Sequence, residues 1–163
     1  MKVKGLSGKE LEVISYLELN EKFFFKREDI RKFFKNDNEM NVYIHNLKKK
    51  GRIVKLNKSK YYLIPIRAYR GHWSEHPFII VDEIFNGKDY YIAESAAAYF
   101  WGFIEQIPTK IVVYCTNKQG EKKIFGFDII FKRKRKLGSY VKKEIKGHKF
   151  FVQSKEETKK WLK

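Results

Sequence analysis

The stretch that decides the fold of the N-terminal half is residues 26–65, KREDIRKFFKNDNEMNVYIHNLKKKGRIVKLNKSKYYLIP. Its first part, about Lys26 to Phe34, places apolar residues at helical spacing. After a short polar turn, Asn38 is the predicted N-cap of another helix, whose apolar residues again recur every three or four positions. Two β-prone runs, 52–56 and 61–64, then flank a polar loop of four residues and predict a hairpin.

Upstream of this stretch, Ser7-x-x-Glu10 forms a capping box that predicts the start of a first helix, which ends near Asn20. A short extended segment, Phe23-Phe24-Phe25, follows it. The resulting order of helix, strand, two helices and hairpin is that of a winged helix-turn-helix. We therefore expect residues 1–65 to form a winged helix-turn-helix DNA-binding domain.

The remaining residues, 66–163, predict a small mixed α/β domain, so that the fold class of the whole chain is α+β. The predicted elements are a helix within 73–85, strands at 90–92, 110–116 and 124–131, a helix at 95–103, a hairpin of 144–145 with 150–153, and a final helix capped by Ser154. The sequence contains no internal repeat.

Positive charge is concentrated at the two ends of the chain. The net charge is +17, of which residues 1–65 contribute +8 and residues 132–163 contribute +10, while the aromatic-rich middle is nearly neutral. A charge distribution of this kind favours a polyanionic partner such as nucleic acid, the alternative being a lysine-rich solvated surface.

Other features of composition narrow the class of protein. No apolar run approaches the roughly 18 residues of a membrane helix, and the N-terminus turns acidic where a signal peptide would be apolar. We therefore expect a cytoplasmic protein with no membrane partner. The single Cys115 excludes an internal disulfide and a zinc site built on cysteines.

The outer face of the second predicted helix after Lys26 is the candidate site for DNA. Asn41 is placed to pair with adenine in the major groove, and His45 or Asn46 to read an acceptor, while neighbouring lysines hold phosphates. The run 132–136 is either a further nucleic-acid contact or a charged guard against strand pairing. The candidate DNA-binding residues are Asn38, Asn41, His45, Asn46, Lys48, Lys49, Arg52, Lys55, Lys58, Lys60, Lys132, Arg133, Lys134 and Arg135.

Catalytic patterns are present but incomplete. Residues 72–76, HWSEH, match the H-x-x-E-H pattern of one class of zinc proteases, but Pro77 follows directly and disfavours a helix spanning both histidines. A metal-dependent nuclease would draw on Asp89, Glu94 and Asp128, yet no lysine follows two residues after Glu94. We expect no catalytic residue, no metal and no cofactor.

The central segment, YYIAESAAAYFWGFIEQIPTKIVV at residues 90–113, resembles the central motif of the AbiEi family, antitoxins and transcriptional regulators of type IV toxin–antitoxin systems. The resemblance extends upstream to residues 48–66, similar to the family's wing, and downstream to Ser154, Glu156 and Thr158. The matching positions of the central motif are Tyr90, Tyr91, Ser95, Ala96, Tyr99, Gly102, Glu105, Gln106 and Pro108.

This resemblance implies a winged helix that binds promoter double-stranded DNA, often for autorepression, and a C-terminal domain that counters a nucleotidyltransferase toxin. The leading hypothesis is a non-catalytic, sequence-specific DNA-binding regulator. The alternative is a protein-interaction antitoxin whose aromatic middle docks a toxin without specific DNA binding, and structured RNA is a third partner left open. A palindromic operator would require a homodimer or two copies bound in tandem.

Overall fold

The computed structural model describes residues 5–65 and 75–163. The chain divides into two compact units, residues 1–74 and residues 75–163. The described residues form a mixed α+β structure with six helices and two sheets, which confirms the predicted fold class at this level. The predicted domain boundary after residue 65 lies at the edge of the residues that are not described.

Unit 1 combines short helices with a three-stranded antiparallel sheet of order β1-β3-β2. The short α2 continues directly into a 3-10 turn at Arg31–Phe33. The elements of unit 1 are α1 (Gly8–Leu19), β1 (Phe24–Lys26), α2 (Arg27–Ile30), α3 (Asp37–Lys49), β2 (Ile53–Lys55) and β3 (Lys60–Leu63).

Two helix starts in unit 1 are fixed by side-chain caps. The capping box of α1 is confirmed, because Ser7 Oγ accepts from the Glu10 N–H at 3.2 Å and Glu10 Oε2 accepts from the Ser7 N–H at 2.9 Å. The prediction that Asn38 caps α3 is wrong. Asn36 is in an extended conformation and its Oδ1 accepts from the Glu39 N–H at 2.9 Å, so Asn38 lies in the first helical turn.

The core of unit 1 lies where α1 and α3 pack with the apolar residues of the sheet. Each helix contributes one apolar stripe at a spacing of three or four residues. Full burial of such side chains is the main favourable term in the stability of a unit of this size. The buried residues of this core are Val13, Ile14, Leu17, Phe25, Ile30, Phe34, Met40, Ile44, Leu47, Ile53, Tyr61 and Leu63.

Unit 2 is built on a six-stranded mixed sheet of order β6-β7-β5-β4-β9-β8, in which β5 pairs parallel with β7 and β4 parallel with β9. The elements of unit 2 are α4 (Pro77–Phe85), β4 (Tyr90–Ala93), α5 (Glu94–Phe100), β5 (Lys110–Cys115), β6 (Gly120–Ile124), β7 (Phe127–Arg133), β8 (Tyr140–Ile145), β9 (His148–Gln153) and α6 (Lys155–Leu162). Within the described residues, none of the helices has both the length and the apolar composition needed to cross a bilayer.

The predicted strand at 124–131 is corrected to a hairpin of β6 and β7. The chain reverses at Phe125 and Gly126, which have φ angles of 51° and 83°, the left-handed conformation that a tight two-residue hairpin turn requires. Ile124 is the one buried residue of β6, which lies at the edge of the sheet. An edge strand of this kind lacks the apolar pattern by which strands are recognised in a sequence.

The packing of unit 2 is dominated by aromatic side chains between the sheet and two helices. Phe150 of β9 is fully buried and lies 5.3 Å from the Phe78 ring of α4 and 5.6 Å from the Phe100 ring of α5. Both ring pairs are tilted or edge-on, the arrangement that the quadrupoles of the rings favour. The final helix, α6, begins as predicted at Ser154, whose Oγ accepts from the Glu157 N–H.

Candidate nucleic-acid interface

The α3 helix has one buried face and one exposed, mainly polar face, which also carries Val42 at 57% exposure. Met40, Ile44 and Leu47 are 1%, 5% and 2% exposed, as the helical spacing predicts. The opposite face carries amide, imidazole and ammonium groups that can donate or accept hydrogen bonds. A surface helix with this composition can lie against a polar, negatively charged partner without burying unpaired polar groups.

The predicted DNA-binding residues of unit 1 fall into two groups by exposure. Most of them are accessible to solvent, as a contact residue has to be. The exposed residues are Asn38, Asn41, His45, Lys48, Lys49, Lys55 and Lys58, and the half-buried residues are Asn46, Arg52 and Lys60.

The Asn41 side chain is held by a residue that the sequence analysis does not single out. Arg27, the first residue of α2, donates through Nη2 to Asn41 Oδ1 at 2.5 Å. Asn41 Oδ1 has a second lone pair, so Asn41 can offer both a donor and an acceptor to adenine while Arg27 holds the orientation of its amide. Arg27 also brings a guanidinium to the side of α3, and its place at the start of α2 is the sequence feature that marks it.

Two basic residues near the C-terminal end of α3 make hydrogen bonds or ion pairs within unit 1. Arg52, a candidate DNA-binding residue, donates through Nη2 to the carbonyl oxygens of Ile64, at 3.1 Å, and Pro65, at 2.7 Å, so this nitrogen is engaged within unit 1. Lys50 forms an ion pair with the buried Glu10, with Nζ 2.6 Å from Oε2. The lysines that remain on this surface are Lys48 and Lys49.

Acidic residues in the first turn of α3 are paired with cations, which limits their repulsion of a polyanion. Glu39 accepts from Lys9 Nζ at 2.8 Å and from the Lys35 N–H at 2.7 Å. The hydrogen bond from Lys9 holds the pKa of the Glu39 carboxyl below its ordinary value. Asp37 pairs in the same way with Arg31.

The loop between β2 and β3 is ordered by one side chain. Asn57 Oδ1 accepts from the backbone N–H groups of Ser59 and Lys60, each at 2.9 Å, which forms an Asx turn. The turn fixes the loop so that Lys58 is exposed at its tip. The hairpin therefore presents a cation at a defined position rather than on a random coil.

In unit 2, the run of basic residues at 132–136 begins inside β7 and continues beyond it. Lys132 is half-buried, and its Nζ lies 2.7 Å from Glu94 Oε1, so this member of the run is engaged in an internal ion pair. Arg133, Lys134, Arg135 and Lys136 are exposed. These four residues form an exposed cationic segment.

A row of aromatic side chains lies beside this cationic segment. Tyr91 stacks on Tyr140 at 5.2 Å and contacts Tyr114 edge-on at 5.5 Å, while Tyr140 meets Phe151 at 5.4 Å. Lys134 Nζ lies 4.6 Å from the centre of the Tyr114 ring. This combination of exposed cations with aromatic rings, of which Tyr140 is exposed, is a surface that nucleic acid can contact by charge and by stacking.

His76 and Glu94, which belong to the two catalytic patterns, are engaged in other contacts. His76 is the N-cap of α4, with Nδ1 accepting from the Phe78 N–H at 3.2 Å, and Pro77 is the first helical residue. Burial lowers the pKa of His76 and nearby Lys146 lowers it further. Residues 72–74 of the pattern lie outside the described residues. Glu94 is engaged by Lys132 and by the Tyr114 hydroxyl, which donates at 2.7 Å.

Comparison with known proteins found no family model that matches the chain and no curated protein that matches its sequence.

Proposed function

We propose that the chain is a non-catalytic, sequence-specific DNA-binding regulator whose unit 1 acts as a winged helix-turn-helix, resembling the AbiEi regulators. The observation that carries this proposal is the exposed polar face of α3, opposite a fully buried apolar face and flanked by the hairpin of β2 and β3. The order of helices and strands in unit 1 supports the same interpretation.

In the proposed complex, α3 enters the major groove of double-stranded DNA with its N-terminal half toward the bases. Asn41, oriented by Arg27, donates to a purine N7 or to a carbonyl oxygen of a base. His45 lies one helical turn further along the same face. Lys48 and Lys49 contact phosphates, and Lys58 at the hairpin tip contacts the neighbouring backbone.

The basic segment of unit 2 provides phosphate contacts that add affinity without adding sequence information. Arg133, Lys134 and Arg135 are exposed and close to one another in the chain, so they meet a polyanion together. Such contacts release counterions and contribute to the salt dependence of binding. The proposed cellular role is repression of the protein's own promoter, in the cytoplasm.

The test is a salt titration of binding to DNA from upstream of the protein's own gene, with a scrambled duplex of equal length as control. With about six phosphates neutralised, log K falls with a slope of about −5 against log salt concentration. A specific regulator binds the upstream DNA at least about tenfold more tightly than the scrambled duplex. Equal affinity for the two duplexes would refute sequence-specific recognition.

Charge-reversal variants separate the α3 surface from net charge. Lys48→Glu combined with Lys49→Glu is expected to weaken binding to both duplexes and to reduce the salt slope by about 2, because both lysines contact phosphates. Lys122→Glu combined with Lys123→Glu, on the edge strand β6, changes the net charge by the same amount and is expected to retain the affinity and the salt slope. If both double variants lose affinity equally, binding follows overall charge and the assignment of α3 is wrong.

A second candidate function is a protein-interaction antitoxin that neutralises a nucleotidyltransferase toxin. The observation favouring it is an apolar groove in unit 2 with a volume of about 550 Å³, lined in part by Phe100, Ile107 and Phe127. Ile107 is 66% exposed and Tyr99 is 38% exposed at its rim. Co-purification of such a toxin after nuclease treatment, and its loss in Ile107→Glu, would favour this function over DNA binding.

A further inference from the structure

Two carboxylates and one imidazole converge in unit 2. Asp82 and Glu83 lie on α4, and His148 is the first residue of β9. His148 Nε2 is 2.9 Å from Asp82 Oδ2 and 3.7 Å from Glu83 Oε1. The three ligand atoms all lie within 4.8 Å of one another.

The position of the carboxylates on α4 favours a cation at this point. Both lie in the last turn or at its edge, where the backbone carbonyl groups give the helix end a partial negative charge, and this turn contains no basic residue. Two carboxylates there raise the negative potential further. A divalent cation bound between them would balance the charges of both carboxylates.

A buried hydroxyl fixes the orientation of Asp82. Tyr90 Oη donates to Asp82 Oδ1 at 2.6 Å and accepts from the Phe151 N–H at 3.2 Å. Tyr90 is fully buried, so this arrangement is part of the packed structure rather than a mobile surface contact. A carboxylate held through one oxygen presents the other in a defined direction, as outer-shell partners do for metal ligands.

We propose that Asp82, Glu83 and His148 bind a divalent transition-metal ion of the Zn²⁺ class. With bonds of about 2.0–2.2 Å, ligand atoms of a tetrahedral zinc site lie roughly 3.4 Å apart. The two separations from His148 Nε2, 2.9 Å and 3.7 Å, lie on either side of that value, and the two carboxylate oxygens lie within 4.8 Å of each other. One nitrogen and two carboxylate donors suit Zn²⁺ or Co²⁺ better than Mg²⁺ or Ca²⁺. The side chains are 14–26% exposed, which leaves the ion reachable by solvent as a fourth ligand.

The experiment is a calorimetric titration of the chelator-treated full chain with Zn²⁺, with the visible absorption of bound Co²⁺ as a second measurement. The chain is expected to bind one Zn²⁺ and to give a Co²⁺ spectrum distinct from that of the hydrated ion. His148→Ala is expected to weaken binding at least about 100-fold. Tyr90→Phe is expected to weaken it by about 10-fold to 100-fold while it retains a protein-bound Co²⁺ spectrum, because Tyr90 positions a ligand without being one.

The matched control is His45→Ala, which removes an exposed histidine from unit 1 and is expected to leave Zn²⁺ affinity unchanged. Circular dichroism establishes that each variant is folded, and Asp82→Asn replaces His148→Ala if the latter is not. The proposal is overturned if the unaltered chain binds Zn²⁺ no more tightly than these ligand variants, or if Co²⁺ keeps its hydrated spectrum. Either result would leave His148 and Asp82 as an ordinary ion pair.

Discussion

Replacement of Lys50 by Met is expected to destabilise unit 1 by leaving the Glu10 carboxylate without its cation. Glu10 is 3% exposed at its side chain and Lys50 is 21% exposed. A hydrogen bond to a buried charged group contributes about 1.5–3 kcal/mol, and the partial exposure of Lys50 places its loss at about 2 kcal/mol. The methionine retains most of the apolar stem of lysine, so the change acts mainly on the charge.

The effect of Lys50→Met depends on pH in a defined direction. Burial alone would raise the pKa of the Glu10 carboxyl, but the bonds from Lys50 and Ser7 outweigh it and hold the pKa below its ordinary value. The ionised carboxylate therefore stabilises the folded chain above the unfolded pKa of about 4.3, and this contribution is lost as pH falls through the lowered value. The difference between the original chain and Lys50→Met is expected to shrink on acidification.

Urea unfolding followed by far-ultraviolet circular dichroism, at neutral pH and again near pH 3, measures both quantities. Lys49→Met is the matched control, because Lys49 is exposed and adjacent, and its cost is expected to stay within about 0.5 kcal/mol. Equal stability of the two methionine variants, or a penalty for Lys50→Met that does not change with pH, would refute the reasoning.

Three further predictions concern two helix caps and the hydroxyl of a half-buried tyrosine. Ser154→Ala is expected to cost about 1 kcal/mol in thermal unfolding through loss of the α6 cap, whereas Ser154→Asp should retain most of it. Asn86 ends α4 with φ 53°, so Asn86→Gly is expected to be tolerated while Asn86→Val lowers the melting temperature, and equal melting temperatures would contradict this. Burial, and after it the hydrogen bond to Glu94, raises the pKa of the Tyr114 hydroxyl. Above a pH of about 10 this hydroxyl therefore ionises in the unfolded chain before it does in the folded chain, and the free energy of unfolding falls as pH rises. In Tyr114→Phe that alkaline fall, measured by urea unfolding, should be shallower, and an unchanged slope would contradict the assignment.

The elements that the sequence predicts best are those with a strong local signal. The capping box at Ser7 and the buried stripe of α3 depend on residues three or four positions apart, and both are confirmed. The strand β6 was missed because it lies at an edge and buries only Ile124. A local apolar pattern does not reveal a strand that buries one residue of five.

The residues of the candidate interface were harder to assign than the elements that carry them. Three basic residues are of the types that contact phosphates, yet each is engaged inside its own unit: Lys50, Arg52 and Lys132. Their partners are 40, 13 and 38 positions away in the chain. A charge count cannot separate a lysine that faces solvent from one that is bound to a distant acid, because the difference arises only when the chain folds.

The parallel pairing of β4 with β9 sets an order of events during synthesis of the chain. All three strands of the unit 1 sheet are complete once Leu63 has been made, so that unit can fold while the rest is still being translated. In unit 2, Ile92 lies opposite Val152, so one side of β4 has no partner until β9 has left the ribosome. During synthesis there is thus an interval in which unit 1 is folded while one edge of β4 is unpaired. An unpaired strand edge can pair with a strand of another chain, so aggregation is the main risk in that interval.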